Sequence, residues 1–457
     1  MRIALAQINP TVGDVPGNLQ LILQAAEAAR ALGADILLTP ELALSGAQPA
    51  DLLLRPAFLQ ACSRAIGTLI DQVDGITLVI GHPRAVGNEC VNCASVIRNG
   101  NLLGRYEKML LSNTGAFDEV RYFTPGAQPL LFEQSGVEVA LAISEDIKDV
   151  DVVGVARDEG AQLLLVMNAA PFHLGVAAER EALLAQRVAE NALPAISVNC
   201  VGGQDEWIFD GQSFALNHDG ERVLQMAAFQ PGLAVIDFAN DDLQISAAQV
   251  EPPTEHAEAT GLWQALQLGL RDQVRKNGYA GAMLSGFSGL NDTLLLALAS
   301  DTLGAEQVFI ASDDAAPAKN QLRLNSADKS ELAGGTPSVE GDYAPFRDLS
   351  ATQLRVLAAW RVYRGGDLSG LLLDALAVAP TLTGTDAILH FYLQERLSIA
   401  EIAAPERTDA SAADIEHIIQ AYHANASLRR RAPIGPRLSS SAEGVDIRLP
   451  ASHQFKQ

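Results

Sequence analysis

Three short stretches end in residue types that could share one reaction. TPELALSG puts Glu41 just past a buried-looking strand, GRYEKMLLSN puts Lys108 at the end of another, and ALAISED puts Ser144 at the tip of a third. A carboxylate, an amine and a hydroxyl at strand ends suit attack on a carbonyl. Glu41 would act as general base, Lys108 would stabilise the oxyanion, and position 144 would attack. Spacing alone does not establish this, because a lone Glu or Lys at a strand end is ordinarily just solvated.

For these residues to meet, strands must deliver them to one sheet edge. The sequence supplies strands and helices in alternation. RIALAQI alternates as a strand, NLQLILQAAEAARALG reads as an amphipathic helix closed by Gly33, and ADILLTPE reads as a buried strand. ITLVIGHP, NCASVIRNG and NLLGRYEK follow as strands, with Asn99-Gly100 as a hairpin turn. VEVALAI, AQLLLVMNAA, LPAISVNCV and SFALNHDG continue the series, interrupted by a helix over Ala178–Asn191. This pattern predicts an α/β sandwich.

The charged, proline-containing stretch Asp241–Ala257 reads as a linker, which sets a boundary near residue 250 and domains of 1–250 and 251–457. Beyond it come a helix ended by Gly278, a short strand GAML, a Gly/Ser-rich loop, the helix TLLLALASDTLG and the strand VFIAS. Ser312–Gly341 reads as polar and irregular, and the chain from Ala351 as mainly helical.

Bulk properties narrow the classes of function. The 457 residues suffice for two or three domains, and 48% hydrophobic with 19% charged residues is a soluble globular composition. A formal charge of −23 argues against nucleic acid and anionic membranes as partners, since both select basic patches. The run Arg429, Arg430, Arg431 reads as a solvated face. Four cysteines are too few for a disulfide scaffold, and Cys90 and Cys93 form a C-x-x-C without a second pair, so idle thiols and no metal site are expected. No apolar run reaches the ~18–20 residues of a membrane span, and the start of the chain lacks the pattern of a signal peptide. The expected compartment is the cytoplasm.

AQINPTVGDVPGN, PELALSG, PADLLLRPAF, YEKMLLSNTGAFDEVRYF, NAAPFH and VGGQDEWIFDG resemble the glutamine-dependent NAD synthetases. That family joins a nitrilase-like glutaminase to an ATP-pyrophosphatase domain. The resemblance implies an α/β fold: a nitrilase-like α-β-β-α sandwich followed by a truncated Rossmann-like ATP-pyrophosphatase domain. It also implies that Glu41 and Lys108 are catalytic, with Glu119 supporting, and that Tyr122 lies near the glutamine pocket. Where the family has Cys-Glu-Asp this chain has Ser144-Glu145-Asp146, so Ser144 is a degenerate nucleophile position. A thiol loses its proton near pH ~8.5, whereas a serine hydroxyl is far less acidic and normally needs a placed base such as histidine. The one histidine in the matching stretches, His173, has no such role in the family.

The second domain departs further. LSGFSGLNDTLLLALA stands where the family holds the ATP pyrophosphate with Ser-Gly-Gly-x-Asp-Ser. Ser288, Gly289, Asp292 and Thr293 match as an ATP-binding remnant, but Leu290 replaces the second glycine and should crowd the phosphate oxygens. Without the family, Asp292 and Thr293 make an ordinary helix start. NSADKSE keeps Lys329 and Glu331 of the family's Thr-Gly-Asn-Lys-Ser-Glu, and several dozen residues before it are missing. The expectation is a catalytically degenerate homologue that binds glutamine or a nucleotide, self-assembles, or associates with an active NAD synthetase. The alternative is an active enzyme: a glutamine-dependent NAD synthetase using ATP and Mg²⁺, or a C–N hydrolase using Ser144 without either. A purely structural, filament-forming protein is the third reading.

Overall fold

The computed structural model describes residues 1–115, 117–244, 256–286, 288–311, 320–335, 340–380 and 382–450. The chain divides into two units, Met1–Gly202 with Phe209–Pro253, and Gly203–Ile208 with Thr254–Gln457.

The first unit begins with β1 (Arg2–Gln7), α1 (Val15–Ala31), β2 (Ile36–Leu38), α2 (Pro56–Gln72), β3 (Thr77–Val86), β4 (Glu89–Arg98) and β5 (Asn101–Glu107). It continues through β6 (Leu131–Gln134), β7 (Val137–Ile143), α3 (Val150–Asp158), β8 (Leu163–Asn168), α4 (Val176–Asn191) and β9 (Ala195–Asn199). After the hairpin β10 (Val201–Gln204) and β11 (Trp207–Asp210) come β12 (Phe214–Leu216), β13 (Arg222–Gln225), β14 (Gly232–Ala239) and β15 (Asp242–Gln244). Two sheets result, one ordered β15-β14-β1-β2-β3-β4-β5 and the other β13-β12-β9-β8-β7-β6.

Period-two alternation builds the layers. Ile3, Leu5, Ile36 and Leu38 from one sheet share a buried cluster with Val139, Leu141, Ile143, Leu163 and Leu165 from the other. The alternate residues Ala4, Ala6 and Leu37 face outward onto Ile22, Ala26, Ile66 and Leu69 of α1 and α2. Ala140, Ala142, Leu164 and Val166 likewise pack on Val153, Leu184 and Val188 of α3 and α4. This is an α-β-β-α sandwich. Local chemistry supports it: Asp14 caps α1 by accepting from the Gly17 amide at 3.0 Å, and Asn99 and Gly100 take positive φ in the β4–β5 turn.

The second unit holds α5 (Ala257–Lys276), β16 (Ala282–Leu284), α6 (Gly289–Leu303), β17 (Val308–Ile310), β18 (Leu322–Leu324) and α7 (Lys329–Gly334). Its three strands run parallel in the order β17-β16-β18, a small Rossmann-like sheet. Six more helices follow: α8 (Ala351–Arg364), α9 (Ser369–Val378), α10 (Thr383–Leu393), α11 (Ile399–Ile402), α12 (Ala412–Ala424) and α13 (Ala426–Arg431). Among the described residues no helix is long and apolar enough to cross a membrane, and no cluster of His, Cys, Asp and Glu could hold a metal ion.

Several expectations need correction. Helices α2 and α3 were not read from the sequence. The linker expected over Asp241–Ala257 begins instead as strand β15, and the boundary near residue 250 lies outside the described residues. The segment read as irregular, Ser312–Gly341, contains β18 and α7, because Leu322 and Leu324 are buried beside β16. Arg429 is not solvated: it is buried, its guanidinium lies 3.6 Å from the Tyr422 ring centre, and Glu443 accepts from its Nε at 2.5 Å. Arg430 and Arg431 are exposed as expected.

Candidate active site

The turn after β2 carries Glu41, and the strand beside it leaves room for that turn. A Cβ on Gly81 of β3 would fall 2.5 Å from the Pro40 carbonyl oxygen and 3.0 Å from the Glu41 Cα, so a side chain there would displace the turn. Lys108 follows β5 directly, and its backbone amide donates to the Asn92 carbonyl at 2.8 Å. Glu119 opens a short 3₁₀ turn, Glu119–Arg121.

These elements bring three charges together. Lys108 Nζ donates to Glu41 Oε1 at 2.9 Å and to Glu119 Oε1 at 2.8 Å. All three side chains are buried. Glu41 also accepts from Asn92 Nδ2 at 2.7 Å and from the Ala169 amide at 3.0 Å, while Glu119 accepts from the Ser112 amide at 2.6 Å. Burial opposes the lysine's charge, but the two flanking carboxylates outweigh it and hold the ammonium above its usual range. Burial pushes the Glu119 carboxyl up, with nearby Glu41 acting the same way against the pull of Lys108.

Ser144 leaves β7 with φ of +50°, a left-handed conformation uncommon for a residue with a side chain, and begins a 3₁₀ turn over Ser144–Lys148. Asp146 ties this turn to the Lys108 segment. Its Oδ1 accepts from the amides of Met109 and Leu110 at 3.0 and 2.7 Å, and its Oδ2 from Tyr106 at 2.8 Å and the Ile143 amide at 2.9 Å. Burial raises the Asp146 carboxyl above its usual range, although the Leu110 and Ile143 amides oppose this. Parallel pairing sets Ile143 opposite Met167. Ser144 and Ala169, which donates to Glu41, therefore leave the same end of neighbouring strands. The arrangement has a carboxylate and an ammonium after strands of one sheet, and a hydroxyl after a strand of the other, beside the segment that bonds Glu41.

Tyr122 is half-buried, its hydroxyl donating to the exposed Asp51 at 2.8 Å. His173 is engaged with the Leu174 carbonyl oxygen at 3.0 Å. Two contributors escaped sequence reading, Asn92 and Asp146. Asn92 had one signal, a polar residue set between Val91 and Cys93.

In the second unit, a cavity of about 650 Å³ is lined by Ser288, Gly289, Leu290, Asp292, Asp328 and Glu331, among others. Gly289 has φ of +77° and opens α6. The Ser288 amide, which a phosphate would need, donates to Asp292 Oδ2 at 2.8 Å, and Ser326 donates to Asp292 Oδ1 at 2.5 Å. Thr293 donates back to the Gly289 carbonyl at 2.7 Å. Lys329 turns from this cavity to Asp348 at 3.0 Å, beside a different, water-sized cavity. Asp328 and Glu331 form the reciprocal cap of α7. Burial and the adjacent Asp328 push Glu331 up to about 7. Of the expected ATP remnant, Ser288, Gly289, Asp292 and Glu331 line the cavity, and Lys329 and Thr293 do not.

A carbon-nitrogen hydrolase profile matches residues 2–245. The glutamine-dependent NAD(+) synthetase of Xanthomonas campestris pv. campestris (strain 8004) is 31% identical, over all of this chain and 98% of that protein. That alignment spans 544 positions against 457 residues here, so several dozen positions of the relative lack a counterpart. The structure of glutamine-dependent NAD+ synthetase from Acinetobacter baumannii, in complex with adenosine diphosphate, matches with a TM-score of 0.77 at 28% identity, covering 98% of each chain. A glutamine-dependent NAD(+) synthetase from Cytophaga hutchinsonii gives 0.82 at 17% identity over 99% of this chain and 97% of that one, a likeness of fold alone.

Proposed function

Because the chain belongs to the glutamine-dependent NAD(+) synthetase family, with a carbon-nitrogen hydrolase domain at residues 2–245, we propose that its first unit hydrolyses a carboxamide such as glutamine through Ser144. The observation that carries this reading is the buried Lys108 held between Glu41 and Glu119. Charges buried this way lower stability unless each is fully partnered. Here each carboxylate is paired with the ammonium and accepts a backbone amide as well.

In this mechanism Ser144 Oγ attacks the amide carbon and its proton passes to Glu41. Lys108 faces the carbonyl oxygen as negative charge develops on it. Glu41 then returns the proton to the departing nitrogen, ammonia leaves, and an ester to Ser144 remains. Water, deprotonated by Glu41, cleaves that ester and restores the hydroxyl.

A second reading is ligand binding without turnover, through glutamine, a nucleotide or association with an active synthetase. One observation favours it: among the described residues the Ser144 hydroxyl makes no hydrogen bond, so no base yet holds its proton. Melting curves with glutamine, with ammonia measured in the same samples, separate the two. Ammonia release that disappears in Ser144→Ala supports hydrolysis. Stabilisation by glutamine with no ammonia supports the second reading, because a ligand of the folded state raises the melting temperature by mass action.

Family membership makes ATP and Mg²⁺ the nucleotide and metal to test in the second unit. The residues present do not fit a triphosphate. The Ser288 amide is already bonded to Asp292, Lys329 is committed to Asp348, and among the described residues Asp292, Asp328, Glu331 and Glu340 line the cavity against one cation, Arg355.

A further inference from the structure

Glu41 is held by three donors, and their distribution over its two oxygens is unequal. Lys108 Nζ and Asn92 Nδ2 both donate to Oε1, at 2.9 and 2.7 Å. The Ala169 amide alone donates to Oε2, at 3.0 Å. Each carboxylate oxygen offers about two acceptor directions, so Oε1 is filled and Oε2 keeps one free.

Asn92 is 1% exposed and sits in β4 opposite Pro83 of β3. Its Oδ1 is buried and has no hydrogen-bond partner among the described residues. A buried acceptor without a donor is costly, yet the opposite orientation of the amide would set this oxygen against the Glu41 carboxylate. A charged Glu41 therefore dictates which way Asn92 points. Ala169, bonded to Oε2, leaves the strand beside the one that ends at Ser144.

We infer that Asn92 is a positioning residue for Glu41, filling the second acceptor direction of Oε1 so that Oε2, on the side of Ser144, alone takes the proton. This deepens the hydrolase reading and rests on it. The charges around Glu41 are Lys108 and, beyond it, Glu119; Asp146 is bonded to the neighbouring amides of Met109 and Leu110. His82 on β3 is bonded to the Pro83 carbonyl and to Ser95, and burial lowers it to about 4.

The experiment compares the full chain with Asn92→Leu, which keeps the volume without the donor, and Asn92→Asp, which sets a second carboxylate against Glu41. Both are followed by melting temperature and by the kcat and KM of ammonia release from glutamine. The release is also measured with Ser144→Cys present. Both variants should lower the melting temperature, Asn92→Asp the more, and both should lower kcat while leaving KM unchanged. A melting temperature and kcat kept by Asn92→Leu would make Asn92 a packing residue and overturn the inference. If no protein releases ammonia, the hydrolase reading fails, and the melting deficits still decide whether Asn92 serves Glu41.

Discussion

In the first unit one buried ammonium stands between two carboxylates, drawn from positions 67 and 11 residues away along the chain. In the second, Asp292, Asp328 and Glu331 share a cavity, and the nearby Lys329 has gone to Asp348 instead. Both regions keep recognisable motif residues. In the first, the surviving residues bond to one another across elements, and the hydroxyl of the altered position, Ser144, makes no hydrogen bond among the described residues. In the second, they also close their own helix starts, Asp292 to Ser288, Thr293 to Gly289 and Asp328 to Glu331, while Ser326 and Asn291 reach Asp292 and Asp328 from farther along the chain. Motif residues that satisfy their own helix starts build the fold, and a phosphate would have to displace those bonds to bind.

This contrast is easiest to break at Lys108. Lys108→Met leaves Glu41 and Glu119 facing each other while buried, and should cost about 3–5 kcal/mol in denaturant unfolding. A loss below about 1 kcal/mol would mean that the two carboxylates share a proton and that the ammonium is dispensable. Next in size is Ser144→Cys. With base and ammonium already in place, a thiol should raise ammonia release from glutamine on the order of 100-fold. An unchanged rate would put the defect elsewhere in the pocket.

The second unit should show its acid cluster in its pH dependence. Glu331 is raised from 4.5 to about 7, so the folded state holds a proton that the unfolded chain releases. The stability contributed by this group is present in full below pH 4.5 and is lost as pH rises through about 7. Glu331→Gln keeps the helix cap and should flatten that slope in melting curves; an unchanged slope would assign the titration to another group. The smallest effect belongs to Tyr122→Phe. Its exposed bond to Asp51 should be worth about 0.5 kcal/mol of stability, and any larger consequence should appear in the KM for glutamine.

The difference between the regions also explains what could be read in the sequence. Glu41 and Lys108 were legible because each follows a strand, Glu119 only through its resemblance to the family motif, and the alternation of strands and helices pointed to the sandwich. Asn92 and Asp146 were not, because their contacts join residues 51 and 40 positions apart, and only the sheet register places them. Leu290 was expected to crowd a phosphate; it is buried at the start of α6 and lines the cavity. Motif reading found the residues of the second site but not their engagement, since a capping carboxylate and a metal- or phosphate-facing one look alike in sequence.

The most direct test of the account is mass spectrometry of the Ser144 peptide, from protein quenched with acid during incubation with glutamine. The account predicts a glutamyl group esterified to Ser144 that is absent in Ser144→Ala. Ammonia release without modification of this peptide, or modification of another residue, would contradict it.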